Sequence, residues 1–170
     1  KRDYLTQEEY EELVASAEKL ANEEVVERGV LITDEMKYLI QFMVNSFIRP
    51  SDIRVLKHKH IKEMKEGKDK WLVLNHPATK TNATEVQAMP ASVHIYNKLV
   101  EFKKSKKMRV GLDEFVFLSE YKNRNTAMEV LGRLFRRVLK DSMIEEKTGK
   151  NVTLYSLRHT SIMMRLINGN

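Results

Sequence analysis

Met36, Leu39, Ile40, Met43, Val44 and Phe47 recur three and four residues apart, the spacing of one face of an α-helix. Thr33, Asp34 and Glu35 precede that stripe and mark its start, because a hydroxyl and two carboxylates suit a helix N-terminus. An earlier start signal is Thr6-Gln7-Glu8-Glu9, which has the form of a capping box and predicts a first helix reaching about Lys19. Arg49-Pro50-Ser51-Asp52 interrupts the pattern. Proline is accepted in the first turn of a new helix, so Ile53 and Leu56 are expected on a short third one.

From Ile61 the texture changes. A turn at Glu66-Gly67-Lys68-Asp69 precedes the apolar run Trp71-Leu72-Val73-Leu74, then a polar loop from His76 to Ala83 leads to Thr84–Met89, where Val86 and Ala88 alternate with polar residues. These segments predict a small antiparallel sheet. After Pro90, helical spacing returns with Val93, Ile95, Tyr96, Leu99 and Val100, and Phe115-Val116-Phe117-Leu118 reads as a short strand or an extended link. Thr126-Ala127-Met128-Glu129 has the form of a second capping box, opening a helix that buries Val130, Leu131, Leu134, Phe135, Val138 and Leu139. Ser156 is expected to cap a last helix carrying Ile162, Met163 and Leu166. No repeat or long linker divides the chain, so residues 1–170 are expected to form a single α+β domain, mainly helical with a small antiparallel hairpin sheet.

Composition narrows the class. With 42% hydrophobic and 32% charged residues, 6 Gly and 3 Pro, the chain can bury a core and is not low-complexity. No apolar run approaches the roughly 20 residues a membrane-spanning helix needs. The absence of cysteine removes disulfides and thiolate metal sites, which permits a reducing compartment. Net charge is +6, yet residues 1–35 carry 11 acidic against 4 basic residues. The rest of the chain is therefore strongly basic and suits a polyanion, nucleic acid first, with anionic membrane surfaces as the alternative. The first residue is not Met and the sequence stops in a helical pattern, so it is expected to be a piece of a longer protein.

Three cations stand at structural transitions: Arg49 between two helices, Lys80 in the polar hairpin loop, and Arg158 in the first turn of the last helix. They lie within Arg49-Pro50-Ser51-Asp52, Lys80-Thr81 and Leu154-Tyr155-Ser156-Leu157-Arg158-His159-Thr160. In this order and context the three segments resemble the catalytic domain of the tyrosine recombinase (phage integrase) family, with Leu-Arg-His-Thr as the most specific part. The resemblance covers nearly the whole chain. It implies the catalytic-domain fold of that family, site-specific DNA cleavage and rejoining through a 3′-phosphotyrosine, and a parent that is an integrase of a phage or mobile element, acting in the cytoplasm of its host cell.

It also implies roles. Arg49 and Arg158 would hold the attacked phosphate, Lys80 would protonate the leaving oxygen, and Asp52 would support Arg49 unless it serves only its helix N-terminus. Tyr155 stands where the family's His-x-x-Arg box has His; a phenol can hydrogen-bond a phosphate oxygen but is a poor proton acceptor near neutral pH. The family's nucleophilic tyrosine lies downstream of this box, so this stretch is expected to be inactive alone and to lack any amino-terminal DNA-binding domains of its parent. The partner implied is double-stranded DNA, with self-association on DNA in the intact protein, no membrane, no cofactor and no metal. A non-catalytic DNA-binding domain of the same fold is the alternative, and a basic helical interaction module is the reading from another class.

Lys122-Asn123-Arg124-Asn125 leads into the Thr126 helix. Residues at a helix start are placed to meet base edges in a major groove, and the corresponding helix of the resembled family approaches DNA. The run from Lys98 to Arg109 holds six basic residues against one acid and is either a solvated helix end or a DNA-backbone contact. His58 and His60, two residues apart, point to different sides of a helix and are expected at the surface or toward phosphate; His159 is expected to be structural.

Overall fold

In the computed structural model, which describes residues 3–77 and 85–167, helix α1 spans Gln7–Asn22 and opens with the expected capping box, Thr6 and Glu9 satisfying each other's backbone amides. A two-stranded hairpin follows, β1 (Val26–Glu27) against β2 (Val30–Leu31). Helix α2 (Asp34–Ser46) is capped by Thr33 and packs against α1 and two later helices, so its buried residues lie on more than one face. Phe47 ends it in a left-handed conformation, φ 60°, which redirects the chain into α3 (Pro50–Ile53).

The sheet is the antiparallel β3 (Ile61–Glu66) and β4 (Asp69–Leu74), with β5 (Val86–Gln87) on the other side of β4. Among the described residues four more helices follow: α4 (Ala91–Ser105), α5 (Arg124–Ser142), the short α6 (Ile144–Thr148) and α7 (Leu154–Ile167). Helices α4 and α7 pack on α2, and α5 packs on α1. The mainly helical α+β expectation holds, with β1–β2 and α6 added to it. No helix among the described residues is long and apolar enough to cross a membrane.

Two helix starts differ from the sequence expectation. Helix α5 begins at Arg124 because the Asn123 side-chain oxygen accepts from the amides of Asn125 and Thr126, leaving Thr126 inside the first turn. Helix α7 begins at Leu154, and Ser156 reaches back to accept from the Thr153 amide instead of capping. Phe115–Leu118 is an irregular link joined to Lys57 by one isolated bridge. Its backbone groups find charged side chains: the Leu118 amide donates to the Glu35 carboxylate at 2.8 Å, and Arg124 takes the carbonyls of Phe117 and Leu118.

Lys103 of the basic run is wholly buried beneath this link, 3.4 Å from Glu35 and 3.3 Å from the Ser119 hydroxyl. It is neither solvated nor available to DNA. Burial pushes the Glu35 carboxyl up, opposed by Lys103 and by the Leu118 amide. Lys103→Met should therefore cost about 3 kcal/mol by stranding a buried carboxylate. Pairing it with Glu35→Gln, which keeps an acceptor for Leu118, should restore most of that loss in urea unfolding.

His58, expected at the surface, is buried, and its Nδ1 lies 2.6 Å from the Tyr96 hydroxyl. Burial and then Lys103 press its pKa down to about 4, with Glu114 opposing. An unfolded histidine binds its proton near pH 6.5, so between there and about pH 4 the unfolded chain holds more protons and stability falls as pH is lowered. The loss should be on the order of 2 kcal/mol, and His58→Gln should flatten it in urea titrations at neutral and acid pH.

Candidate functional site

Residues 109 positions apart in sequence meet at one hollow. Ile48 is buried and Pro50 starts α3, so Arg49 occupies the N-cap of that helix with extended backbone and a half-buried side chain. Arg158 lies in the second turn of α7, which packs on both α2 and α3. Both arginines line a cavity of about 660 Å³ with Asp52, Phe47 and the β5 residues Val86 and Gln87.

The charges in the hollow act on each other. Burial lowers the Arg158 pKa, the positive charge of Arg49 lowers it further, and Tyr155 and Asp52 oppose both. Among the described residues neither guanidinium forms a salt bridge. The wall carries Arg49, Arg158 and Arg165 against the carboxylates Asp52 and Glu85, so cations outnumber acids there, and planar guanidiniums match the oxygens of a phosphodiester. Asp52 is buried on the first turn of α3.

Tyr155 faces a different, adjoining hollow of about 320 Å³, formed by Pro50, Gly132, Phe135, Arg136 and residues 152–154. It does not line the cavity shared by Arg49 and Arg158, yet it is near enough to Arg158 to act on that guanidinium. Lys80 lies outside the described residues. Elsewhere in the Leu-Arg-His-Thr stretch Leu157 is in the core, His159 is half-buried, and the buried Thr160 hydroxyl accepts from the Leu5 amide at 2.8 Å and donates to the Ser156 carbonyl.

The start of α5 divides. Lys122 and Asn125 are exposed, and Lys122 shares a shallow hollow with Arg109. The Asn123 carbonyl oxygen is occupied by capping. Arg124 contradicts the expectation of DNA contact. Its side chain is buried, donating to the carbonyls of Arg54, Phe117, Leu118 and Tyr121 at 2.8–3.0 Å, and its guanidinium lies 3.9 Å from the centre of the Phe115 ring. Four of the five N–H donors of the fork are turned into the protein. Its bond to Arg54, at the end of α3, fixes the start of α5 relative to the helix that carries Arg49.

Sequence reading missed Arg165, one turn of helix beyond the hollow's first rim residue Ile162, whose guanidinium sits 5.3 Å from the Phe47 ring centre and lines the same cavity. Its signal was present as the helical spacing Arg158, Ile162, Arg165. Among the described residues no cluster of three or more histidines and carboxylates has the arrangement of a metal site.

No protein-family model matches the sequence, and no curated protein matches it. The backbone is similar to the crystal structure of XerA recombinase, with a TM-score of 0.64 over 98% of this chain, at 17% sequence identity. The fold is that of a tyrosine recombinase domain. The chain spans half the length of that recombinase.

Proposed function

We propose that this chain is the catalytic domain of a tyrosine-type site-specific DNA recombinase, an integrase of a phage or mobile element working on duplex DNA in the cytoplasm of its host. The observation that carries the reading is the convergence of Arg49, at the N-cap of α3, and Arg158, in α7, on one cavity where the charge of Arg49 acts on Arg158. In the reaction a tyrosine hydroxyl attacks a backbone phosphorus, the bond to the 5′-oxygen breaks, and a 3′-phosphotyrosine forms. The released 5′-hydroxyl of a partner strand later reverses the step. Arg49 and Arg158 bind the non-bridging oxygens, whose charge grows as the nucleophile adds. Lys80 supplies the proton to the leaving oxygen, and Asp52 supports Arg49. Intact copies associate on DNA to exchange strands.

Tyr155 is a positioning group rather than the nucleophile. Its place in the adjoining hollow favours a hydrogen bond from the side of the phosphate, whereas the attacking oxygen must lie in line with the leaving one. A nicked suicide substrate tests this. The full parent protein should form a denaturant-resistant protein–DNA band that survives Tyr155→Phe, and the 170-residue chain alone should form none. A band lost in Tyr155→Phe would make Tyr155 the nucleophile.

The phenol in place of imidazole favours a second reading, a DNA-binding domain that no longer cleaves, and the same experiment separates them: the binder forms no band in any length of the protein. On either reading Lys122 contacts the DNA backbone. Lys122→Glu should weaken duplex binding by about tenfold at ~0.1 M salt, with the thermal midpoint unchanged. Lys19→Glu, in the acidic leading segment, should leave affinity unchanged in the same anisotropy titration.

A further inference from the structure

Helix α5 carries Arg133, Arg136, Arg137 and Lys140 at spacings of three, four and seven residues, which places them on one face. That face and the β1–β2 hairpin enclose a cavity of about 950 Å³, to which the hairpin contributes Glu27 and Arg28. The other carboxylates on its wall are Asp141, engaged at 3.1 Å by Lys19, and Glu146. Glu27 holds Arg137 at 3.1 Å and stands 4.0 Å from Arg28, so one acid fastens the hairpin to the helix. Among the described residues Arg133, Arg136 and Lys140 form no salt bridge.

The hairpin tip is a second, independent observation. Arg28 and Gly29 both have positive φ, 48° and 81°, the turn in which Asn-Gly is favoured and a long side chain at the first position is disfavoured. Arg28 is a strained choice whose side chain is largely exposed beside the cavity. Arg28 thus adds an exposed cation to the wall formed by α5. Arg136 also lines the Tyr155 hollow, so the basic face of α5 is continuous with the neighbourhood of Arg158.

We propose that this face is an outlying phosphate-backbone site, on which duplex DNA leaving the Arg49–Arg158 hollow runs past Tyr155 and Arg136, along Arg133 and Lys140, to Arg28 at the hairpin tip. The inference rests on the recombinase-domain reading and deepens it. From residue 132 to 140 the helix rises about 12 Å, which corresponds to about 3 to 4 base pairs of duplex. The face therefore adds contacts to phosphates flanking those held at the arginine hollow, and a duplex that extends further past the hollow makes more of them.

Anisotropy titrations of the chain with duplexes of about 8 and about 24 base pairs, over a salt series, test the inference. Arg133→Gln/Lys140→Gln should weaken binding to the long duplex by about tenfold and lower its log–log salt slope by about 2, with a smaller effect on the short duplex. Comparing protein variants on the same DNA cancels the larger number of binding registers on the longer one. Arg28→Asn should weaken the long duplex by about threefold while keeping or raising the thermal midpoint, since Asn-Gly suits the turn. Unchanged affinity and slope on the long duplex would overturn the site while leaving the recombinase-domain reading intact, provided Arg49→Ala weakens both lengths. Absence of salt-dependent binding by the unmodified chain to either duplex would overturn both. Binding of a glutamate-rich peptide in preference to DNA, lost in Arg133→Gln/Lys140→Gln, would reassign the face to an acidic protein partner and overturn the site.

Discussion

Replacing Arg124 by methionine should destabilise the domain by about 4 kcal/mol, seen as a large fall in the urea midpoint, and should do so before any effect on DNA can be measured. The side chain supplies donors to four backbone carbonyls, three of them in the irregular 117–121 link and the fourth on Arg54. Methionine fills the volume and stacks on Phe115 but leaves those carbonyls without their donors, and buried acceptors in a loop have no ladder to rejoin. Arg124→Lys should recover little, because one ammonium cannot reproduce a planar fork aimed at acceptors on both sides. Lys122→Glu, two residues away and exposed, should leave stability unchanged. The two substitutions thus separate a structural cation from a surface one within a single basic cluster.

The second large effect is expected at the hollow. In the parent protein, Arg49→Ala or Arg158→Ala should each slow DNA strand cleavage by about 10³-fold, a loss of about 4 kcal/mol of transition-state stabilisation. On the proposed reading each guanidinium would meet charge that develops on the non-bridging oxygens only as the phosphorus becomes five-coordinate. Lysine at either position should restore affinity more than rate, since a mobile point charge attracts the phosphate but does not fix its orientation. Single-turnover cleavage against DNA affinity resolves the two. A fall in affinity that fully accounts for the fall in rate would place these arginines in binding alone.

What was legible in the sequence had a period or a reciprocal local partner. The α2 stripe from Met36 to Val44 and the Thr6–Glu9 box announce themselves because each signal is contained within one or two turns. For the β3–β4 hairpin the turn at Glu66-Gly67-Lys68-Asp69 and the run Trp71-Leu72-Val73-Leu74 were legible, whereas β3, with Lys62, Glu63 and Lys65, carries no apolar alternation. The β1–β2 hairpin was not legible, because its strands are two residues long and its turn uses Arg28-Gly29 where Asn-Gly is the usual sign.

Charges were the least legible. Arg124 and Lys122 stand in one cluster, yet one is buried among carbonyls and the other faces solvent; the difference lies in where the 115–121 link passes, and the link has no periodic signal. Lys103 reads as part of a solvated run until Glu35, 68 positions earlier, is seen beneath it. Arg49 and Arg158 could be paired in advance only because their flanking residues resemble a known catalytic arrangement. The cavity then adds what no motif carries: Tyr155 lines an adjoining hollow and not the one that holds the pair, and Arg165 shares the pair's wall.

The most direct measurement is a double-mutant cycle on duplex binding at fixed salt, with Arg49→Ala, Arg158→Ala and the pair. If both guanidiniums hold one phosphate, removing either lets that phosphate return to water, so the second removal has less to lose. The account predicts about a tenfold loss of affinity for each single change and a double variant clearly better than the product of the two, with a coupling of about 1 kcal/mol. Strictly multiplicative losses would mean that the arginines bind separate phosphates, and no loss from either would mean that the hollow does not bind DNA; both results would contradict the claim that Arg49 and Arg158 form one phosphate-binding centre.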